Sequence, residues 1–249
     1  MFDTVVLLTG AAEQPILAAA MRGHNAQLAV VPVARAAELA TLTPSLLQRS
    51  RLIAFATPVI VPLSILARLG YGAYNFHPGP PDYPGLAPAQ FAIYDRAAEF
   101  GATAHLMVEK VDAGPIIDAA RFPIPPGITV FGLEGLAYAH LARLFWELSR
   151  RLATQATPLP QIPVRWGERR SSRRLYRAIC DIPLDIAKEE LDRRVRAFGH
   201  NHFGLLPTIT LHGIEFRAVA PPPPAAATIA ANPTVSANQP ARQPACAVI

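Results

Sequence analysis

The sequence predicts an α/β protein: an open, mostly parallel sheet flanked by helices, with a small C-terminal α+β unit and a disordered tail. Three observations carry this reading. Four short apolar runs within the first 77 residues alternate with helix-like segments, turn residues separate them, and beyond residue 219 the chain is mostly Pro, Ala, Thr and Asn with one charge, Arg242. Strands alternating with helices point to a parallel sheet covered on both faces.

The elements follow in order. Thr4–Leu8 is a compact apolar run, and after the Thr9-Gly10 turn an Ala-rich segment from Pro15 to Arg22 reads as a helix. That turn lacks the G-x-G-x-x-G spacing of a dinucleotide site. Leu28–Val33 reads as a strand, Ala36–Leu47 as a helix, Arg51–Ala56 as a buried strand and Ile60–Leu69 as a helix closed by Gly70. Tyr71–His77 is a strand opening into the Gly/Pro-rich loop His77–Gly85. Pro88–Glu99 reads as a helix, and Ala102–Val108 and Pro115–Phe122 as strands flanking the turn Val111-Asp112-Ala113-Gly114. Leu133, Leu136, Ala137, His140, Leu141 and Leu144 recur at helical spacing, so Thr129–Leu152 is a long amphipathic helix. A linker with Pro158, Pro160 and Pro163 precedes short helices at Arg173–Ile179 and Ala187–Phe198. A hairpin over Thr208–Val219 is centred on His212-Gly213. The expected units are residues 1–157, 158–219 and a tail at 220–249. The tail has too little apolar surface to offset its ordering entropy.

Composition narrows the function classes. In 249 residues, hydrophobic types make up 51% and charged types 16%, which suits a globular core. The apolar stretch between Arg51 and Arg68 is broken by Pro58 and Pro62, and the N-terminus lacks the basic start of a signal peptide. A cytoplasmic protein without a membrane span is therefore expected. Cys180 and Cys246 form neither a disulfide framework nor a metal spacing. The net charge of +5 is uneven: residues 1–159 balance 11 basic against 11 acidic residues. Arg165, Arg169, Arg170, Arg173, Arg174 and Arg177 then crowd one stretch against Glu168 alone. That stretch is either a solvated surface or a rim that attracts an anionic acceptor.

The chemistry concentrates at Asn75, His77 and Asp112. Asn75 and His77 end a strand, where ligands of open α/β sheets bind, and Asp112 occupies a turn after another strand. When an amine attacks a carbonyl carbon, negative charge builds on the carbonyl oxygen. The Asn75 amide and a protonated His77 can donate to it. Asp112 would keep the imidazole charged and relay a proton through water. Taken singly, each is an ordinary turn residue. His105, alternating with apolar neighbours, reads as a satisfied interior histidine rather than a catalyst.

The run Asn75-Phe-His77-Pro78-Gly79-Pro80-Pro81-Asp82-Tyr83-Pro84-Gly85, then Pro88 and Ala92-Ile93, Gly101-Ala-Thr103-Ala-His105-Leu-Met107, and Val111-Asp112-Ala-Gly114-Pro115-Ile116-Ile117 resembles the folate-dependent formyltransferase family. The resemblance is good over about residues 50–150 and loose over residues 1–50. It implies 10-formyltetrahydrofolate as formyl donor and Asn75, His77 and Asp112 as the catalytic set. It also implies a slot for the pteridine at Pro58, Val59, Ile60, Glu109 and Val111. Two departures stand out. Gly79-Pro80-Pro81-Asp82 replaces the more usual Ser-Leu-Leu-Pro after His-Pro, and the N-terminal part looks shortened. Residues 187–219 resemble the segment that follows the catalytic domain in the methionyl-tRNA and sugar enzymes. They are too few for the barrel of the tRNA enzyme, which favours a small amine acceptor, with an anionic group suited to the arginines, over tRNA.

Other readings are a formyltetrahydrofolate hydrolase, with water in place of the amine, and a catalytically idle folate-binding module. A metal hydrolase using His77, Asp82, His105 and Asp112 lacks the close pairing of zinc sites. Cys180 has no evident basic activator. Cys246-Ala-Val-Ile249 formally fits a prenylation box but has no polybasic neighbour.

Overall fold

A computed structural model of the chain describes residues 2–201 and 204–218. The expected tail at 220–249, Val219 and Cys246 lie outside them. One six-stranded sheet runs in the order β2-β1-β3-β4-β5-β6, and a separate hairpin pairs β7 with β8. The strands are β1 Thr4–Leu8, β2 Ala29–Val33, β3 Ser50–Phe55, β4 Ala73–His77, β5 Glu99–Leu106, β6 Ile116–Pro123, β7 Thr208–Leu211 and β8 Ile214–Arg217. The helices are α1 Gln14–His24, α2 Ala36–Ala40, α3 Pro44–Gln48, α4 Leu63–Leu66, α5 Pro88–Asp95, α6 Val130–Thr154, α7 Arg173–Cys180 and α8 Lys188–Phe198. Strands β1 to β4 pair in parallel, while β5 and β6 join antiparallel. The sheet is thus mostly parallel, with an antiparallel pair at one edge.

The apolar runs form central strands because both their faces are covered. Val5 and Leu7 of β1 point into a cluster with Met21 of α1 and Leu141, Phe145 and Leu148 of α6. Val6 and Leu8 point the other way, toward Leu39, Leu47 and Ile65 of α2, α3 and α4. The period of two along a strand therefore builds two cores from one segment. A third cluster joins Phe91 of α5 and Leu133 of α6 to Tyr176 of α7 and Phe198 of α8. The C-terminal helices thereby share packing with the helix that follows the His77 loop.

Two expected helices are shorter than the apolar pattern suggests. The single helix at Ala36–Leu47 is two, because Thr43 caps α3 by accepting from the Leu46 N–H and Pro44 starts a fresh first turn. The helix expected over Ile60–Leu69 shrinks to Leu63–Leu66. Proline at 62 lacks the N–H a helix interior needs, so residues 56–62 remain an extended loop. Similarly, α5 ends at Asp95, and β5 begins at Glu99 rather than Ala102.

The strand–helix scaffold is fastened by Arg51, which is fully buried in β3. Its guanidinium donates to the carbonyls of Leu152 at 2.6 Å, Gln155 at 2.8 Å and Tyr71 at 3.2 Å, so a cation closes the C-terminal end of α6. Among the described residues, no helix is long and apolar enough to cross a membrane.

Candidate active site

The β3–β4–β5 arrangement gathers the site at one end of the sheet. Asn75 and His77 both lie on β4, two residues apart, so their side chains emerge on the same face. Across the antiparallel pairing, Asn75 lies opposite His105 of β5. A turn after β5 brings back Asp112, whose backbone is left-handed (φ 44°), a conformation seldom adopted by non-glycine residues and typically held at functional sites.

These four side chains form one cluster of polar contacts. The Asn75 amide nitrogen lies 3.1 Å from His105 Nε2 and 3.4 Å from Asp112 Oδ1. His105 Nε2 is 3.2 Å from Asp112 Oδ1, and its Nδ1 is 2.8 Å from the Leu106 carbonyl. A carbonyl only accepts, so that Nδ1 carries hydrogen. Asp112 Oδ2 accepts from the Gly85 N–H at 2.8 Å and lies 3.5 Å from His77 Nδ1. On the far side of the ring, His77 Nε2 donates to the Tyr83 carbonyl at 3.1 Å. His77, His105 and Asp112 are all buried, and Asn75 is half-buried.

Burial and charge compete here. Burial alone would push Asp112 up, but the His77 charge, the His105 hydrogen bond and the Gly85 N–H hold its carboxyl well below the ordinary carboxylate range. For His77, burial outweighs the support of Asp112 and of the Tyr83 carbonyl, and His105 adds to the depression, so the imidazole lies below its ordinary value. This runs against the expectation of an imidazolium kept charged at neutral pH. In the neutral ring Nε2 holds the hydrogen, and Nδ1 faces the carboxylate at a distance longer than a well-formed hydrogen bond.

A cavity of about 690 Å³ opens beside this unit, and Asn75, His77, His105 and Asp112 all line it. Pro58, Val59, Ile60, Glu109 and Val111 line it too, so the residues expected to form the pteridine slot share one hollow with the Asn–His–Asp set. Ile60 and Val111 are apolar yet well exposed on its wall. The remaining candidates part company. Asp82 is ion-paired with Arg121 at 2.7 Å rather than joined to the histidines. Cys180 is buried, with its thiol pushed up to about 11 by burial, and it does not line the cavity. The arginine stretch also divides: Arg169 pairs with Asp95 and Arg170 with the Asp112 turn, while Arg165, Arg173, Arg174 and Arg177 are exposed.

Sequence reasoning missed His105, Gly85, Trp166 and Arg170. Alternation with apolar neighbours marked His105 as inward-facing but not as the partner of Asn75, which depends on strand register. Gly85 stands in the loop at φ 101°, with its N–H on Asp112. Trp166 meets His105 edge-on, ring centres 4.9 Å apart, from more than sixty residues away.

Comparison with known proteins agrees with this geometry. Residues 48–135 match the family model described as formyl transferase. A methionyl-tRNA formyltransferase of Listeria monocytogenes serotype 4a (strain HCC23) is 35% identical over 123 residues, 47% of this chain and 38% of that protein. The chain thus spans about two fifths of the length of that curated relative. A sugar N-formyltransferase from a Shewanella species superposes with a TM-score of 0.69 at 15% identity, covering 88% of this chain and 96% of the other. An N-formyltransferase from Helicobacter canadensis, solved with folinic acid and dTDP-3-aminofucose, gives a TM-score of 0.60 at 17% identity, covering 86% of this chain and 85% of that one. At such identities the two structures speak for the fold. Residues 48–135, the part of the chain similar to the formyl transferase family, are also the part that carries Asn75, His77 and Asp112.

Proposed function

We propose that this protein transfers a formyl group from a 10-formyltetrahydrofolate-type donor to a small amine, with Asn75, His77 and Asp112 as its catalytic residues. The observation that carries this reading is the convergence of the three side chains on one cavity wall, within reach of the apolar slot. The cavity falls within the roughly 300–1,000 Å³ range of small-molecule sites. Pro58, Val59, Ile60 and Val111 offer the apolar walls that a flat heterocycle needs, and the backbone around Glu109 offers polar groups for its edge.

Each residue has a separate task. Asn75 donates from its amide to the oxygen that gains negative charge as the amine attacks the formyl carbon. Its 3.4 Å contact with Asp112 is the weaker of its two and is the one exchanged for that oxygen. His77 takes up at Nδ1, the ring nitrogen not committed to Tyr83, the proton that the attacking amine loses, and it returns that proton to the departing folate nitrogen as the carbon–nitrogen bond of the donor breaks. Once charged, it is stabilised by Asp112 and donates to the same developing charge. Contacts of this kind are often long without ligand and tighten in the complex. Asp112, held ionised by Gly85 and His105, keeps the proton in the site.

For the acceptor we favour an amino sugar carried on a nucleotide, because proteins of that type share this fold across nearly the whole chain. The deciding experiment incubates the protein with 10-formyltetrahydrofolate, with and without a nucleotide-linked amino sugar, and follows tetrahydrofolate release. Release that requires the amine is the expected result. Release in buffer alone would replace the transferase reading with hydrolysis. Donor binding without turnover in either arm would leave only a binding module.

A further inference from the structure

The segment between α6 and α7 bonds to the two loops that carry His77 and Asp112, and its Arg170 and Ser171 line the cavity. Trp166 Nε1 donates to the Gly114 carbonyl at 2.7 Å, while its ring stands edge-on to His105 and His77. The Gly167 N–H donates to the Pro81 carbonyl at 2.8 Å. The Arg170 guanidinium donates to the carbonyls of Val111 and, at 2.9 Å, of Asp112 itself. Ser171 closes the strap: its N–H donates to the Pro84 carbonyl at 3.0 Å, and its own carbonyl accepts from the Leu86 N–H at 3.3 Å.

The left-handed turn at Asp112 needs such support. A non-glycine residue stays in that region only when its surroundings over-determine it. Two successive carbonyls, of Val111 and Asp112, converge on a single guanidinium, whose planar fork can span both, whereas an ammonium acts from one point. The same turn sets the direction in which the carboxylate leaves the backbone. A shift of one ångström there would take Asp112 away from Gly85 and both imidazoles.

We propose that Arg170, assisted by Trp166, is a positioning residue: it locks the left-handed turn that aims the Asp112 carboxylate at His77 and His105. The proposal rests on the reading of Asn75, His77 and Asp112 as the reacting set. It makes the strap after the sheet a working part of the site, so the constellation is complete only when residues 166–171 are docked.

The test uses the full chain and the variants Arg170→Ala, Arg170→Lys and Trp166→Phe, with two readouts. One is kcat and KM for donor and acceptor. The other is the titration of the His77 imidazole followed by NMR. The titratable and hydrogen-bonding groups facing that ring are Asp112, His105 and the Tyr83 carbonyl, all retained in every variant; the Trp166 ring, which meets it edge-on, is retained in both Arg170 variants. Arg170→Ala should lower kcat roughly 10- to 100-fold, the effect of a small misplacement near reacting atoms, with both KM values little changed. Arg170→Lys keeps the charge but not the fork and should recover little. Trp166→Phe, which removes the N–H to Gly114 and part of the ring beside His105 and His77, should fall between wild type and Arg170→Ala.

The titration supplies a sign that a charge effect would not share. Loss of a nearby cation alone would raise the His77 midpoint, whereas a displaced carboxylate lowers it. Downward shifts in Arg170→Ala and Arg170→Lys support positioning. Unmoved or raised midpoints in both overturn it, as would a raised acceptor KM at constant kcat, which marks direct substrate contact. Should Arg170→Ala fail to fold, Arg170→Lys and Trp166→Phe carry the test. If the wild type transfers no formyl group, the functional reading fails while the titration still reports on the turn.

Discussion

His105 Nε2 lies 3.2 Å from Asp112 Oδ1, and the same nitrogen lies 3.1 Å from the amide of Asn75, its partner across the β4–β5 pairing. A residue without an expected chemical role thus ties together the proposed oxyanion donor and the proposed carboxylate. His105→Ala should reduce turnover by about tenfold by loosening both groups. Loss of His77 or of the Asp112 charge should cost roughly 100-fold or more. Because the groups act as one unit, His105→Ala combined with Asp112→Asn should cost less than the product of the single effects. Steady-state kcat values for the three variants decide this; multiplicative losses would mean that His105 acts separately.

The buried imidazole also makes stability depend on pH. Burial places the folded His77 below its ordinary value of about 6.5. Below that pH the unfolded chain binds a proton that the folded protein resists, so stability falls from about pH 6.5 toward the depressed folded value. Asp112 acts in a lower window. Its folded value is depressed, so its contribution is present above the unfolded value of about 3.9 and is lost as pH falls through the folded one. Urea midpoints should therefore drop between pH 7 and pH 5, and His77→Gln should flatten that slope. Equal slopes in the two proteins would contradict a neutral, buried His77.

Gly85 serves both geometry and electrostatics. Its φ is 101°, a Cβ there would stand 2.2 Å from the Ser171 carbonyl oxygen, and its N–H holds Asp112 Oδ2. Gly85→Ala should destabilise the protein by about 2 kcal/mol or more, because backbone strain and a clash with backbone act together. Turnover should fall with it. In α6, a Cβ on Gly135 meets nothing within 4 Å, so Gly135→Ala should be neutral or stabilising as a helix substitution. Thermal melts of the two variants separate the cases, and similar effects would remove the special status of Gly85.

Much of this architecture is legible in the sequence where physics is local. The all-apolar β1, the helical spacing of α6 and the strand-end Asn75 and His77 follow from periodicity and punctuation. The break between α2 and α3 was legible too, since Thr43-Pro44 is a helix start, but the apolar pattern running through it masked the signal. The rest depends on long-range pairing. Register alone sets His105 against Asn75, and Arg170 reaches Asp112 across 58 residues, so no local pattern announces either. In the sequence His77 has only a carboxylate partner to suggest protonation; the depth of burial that opposes it exists only once the chain is folded.

Ile60 offers the most direct access to the donor slot. It lies on the cavity wall with 61% of its surface exposed, in the extended loop ahead of α4. Covering such a side chain with a ring contributes about 1.5–3 kcal/mol, and each 1.4 kcal/mol is tenfold in affinity. Ile60→Glu should therefore raise KM for the formyl donor roughly tenfold or more, with kcat nearly unchanged because the residue is not one of the reacting groups. The melting temperature should also hold, since the side chain packs little in the free protein. Leu184 is as exposed but lies off the cavity, so Leu184→Glu should leave donor KM at the wild-type value. A donor KM insensitive to Ile60→Glu would mean that the folate ring does not lie over this loop, and the slot would have to be sought on the Val111 side of the hollow.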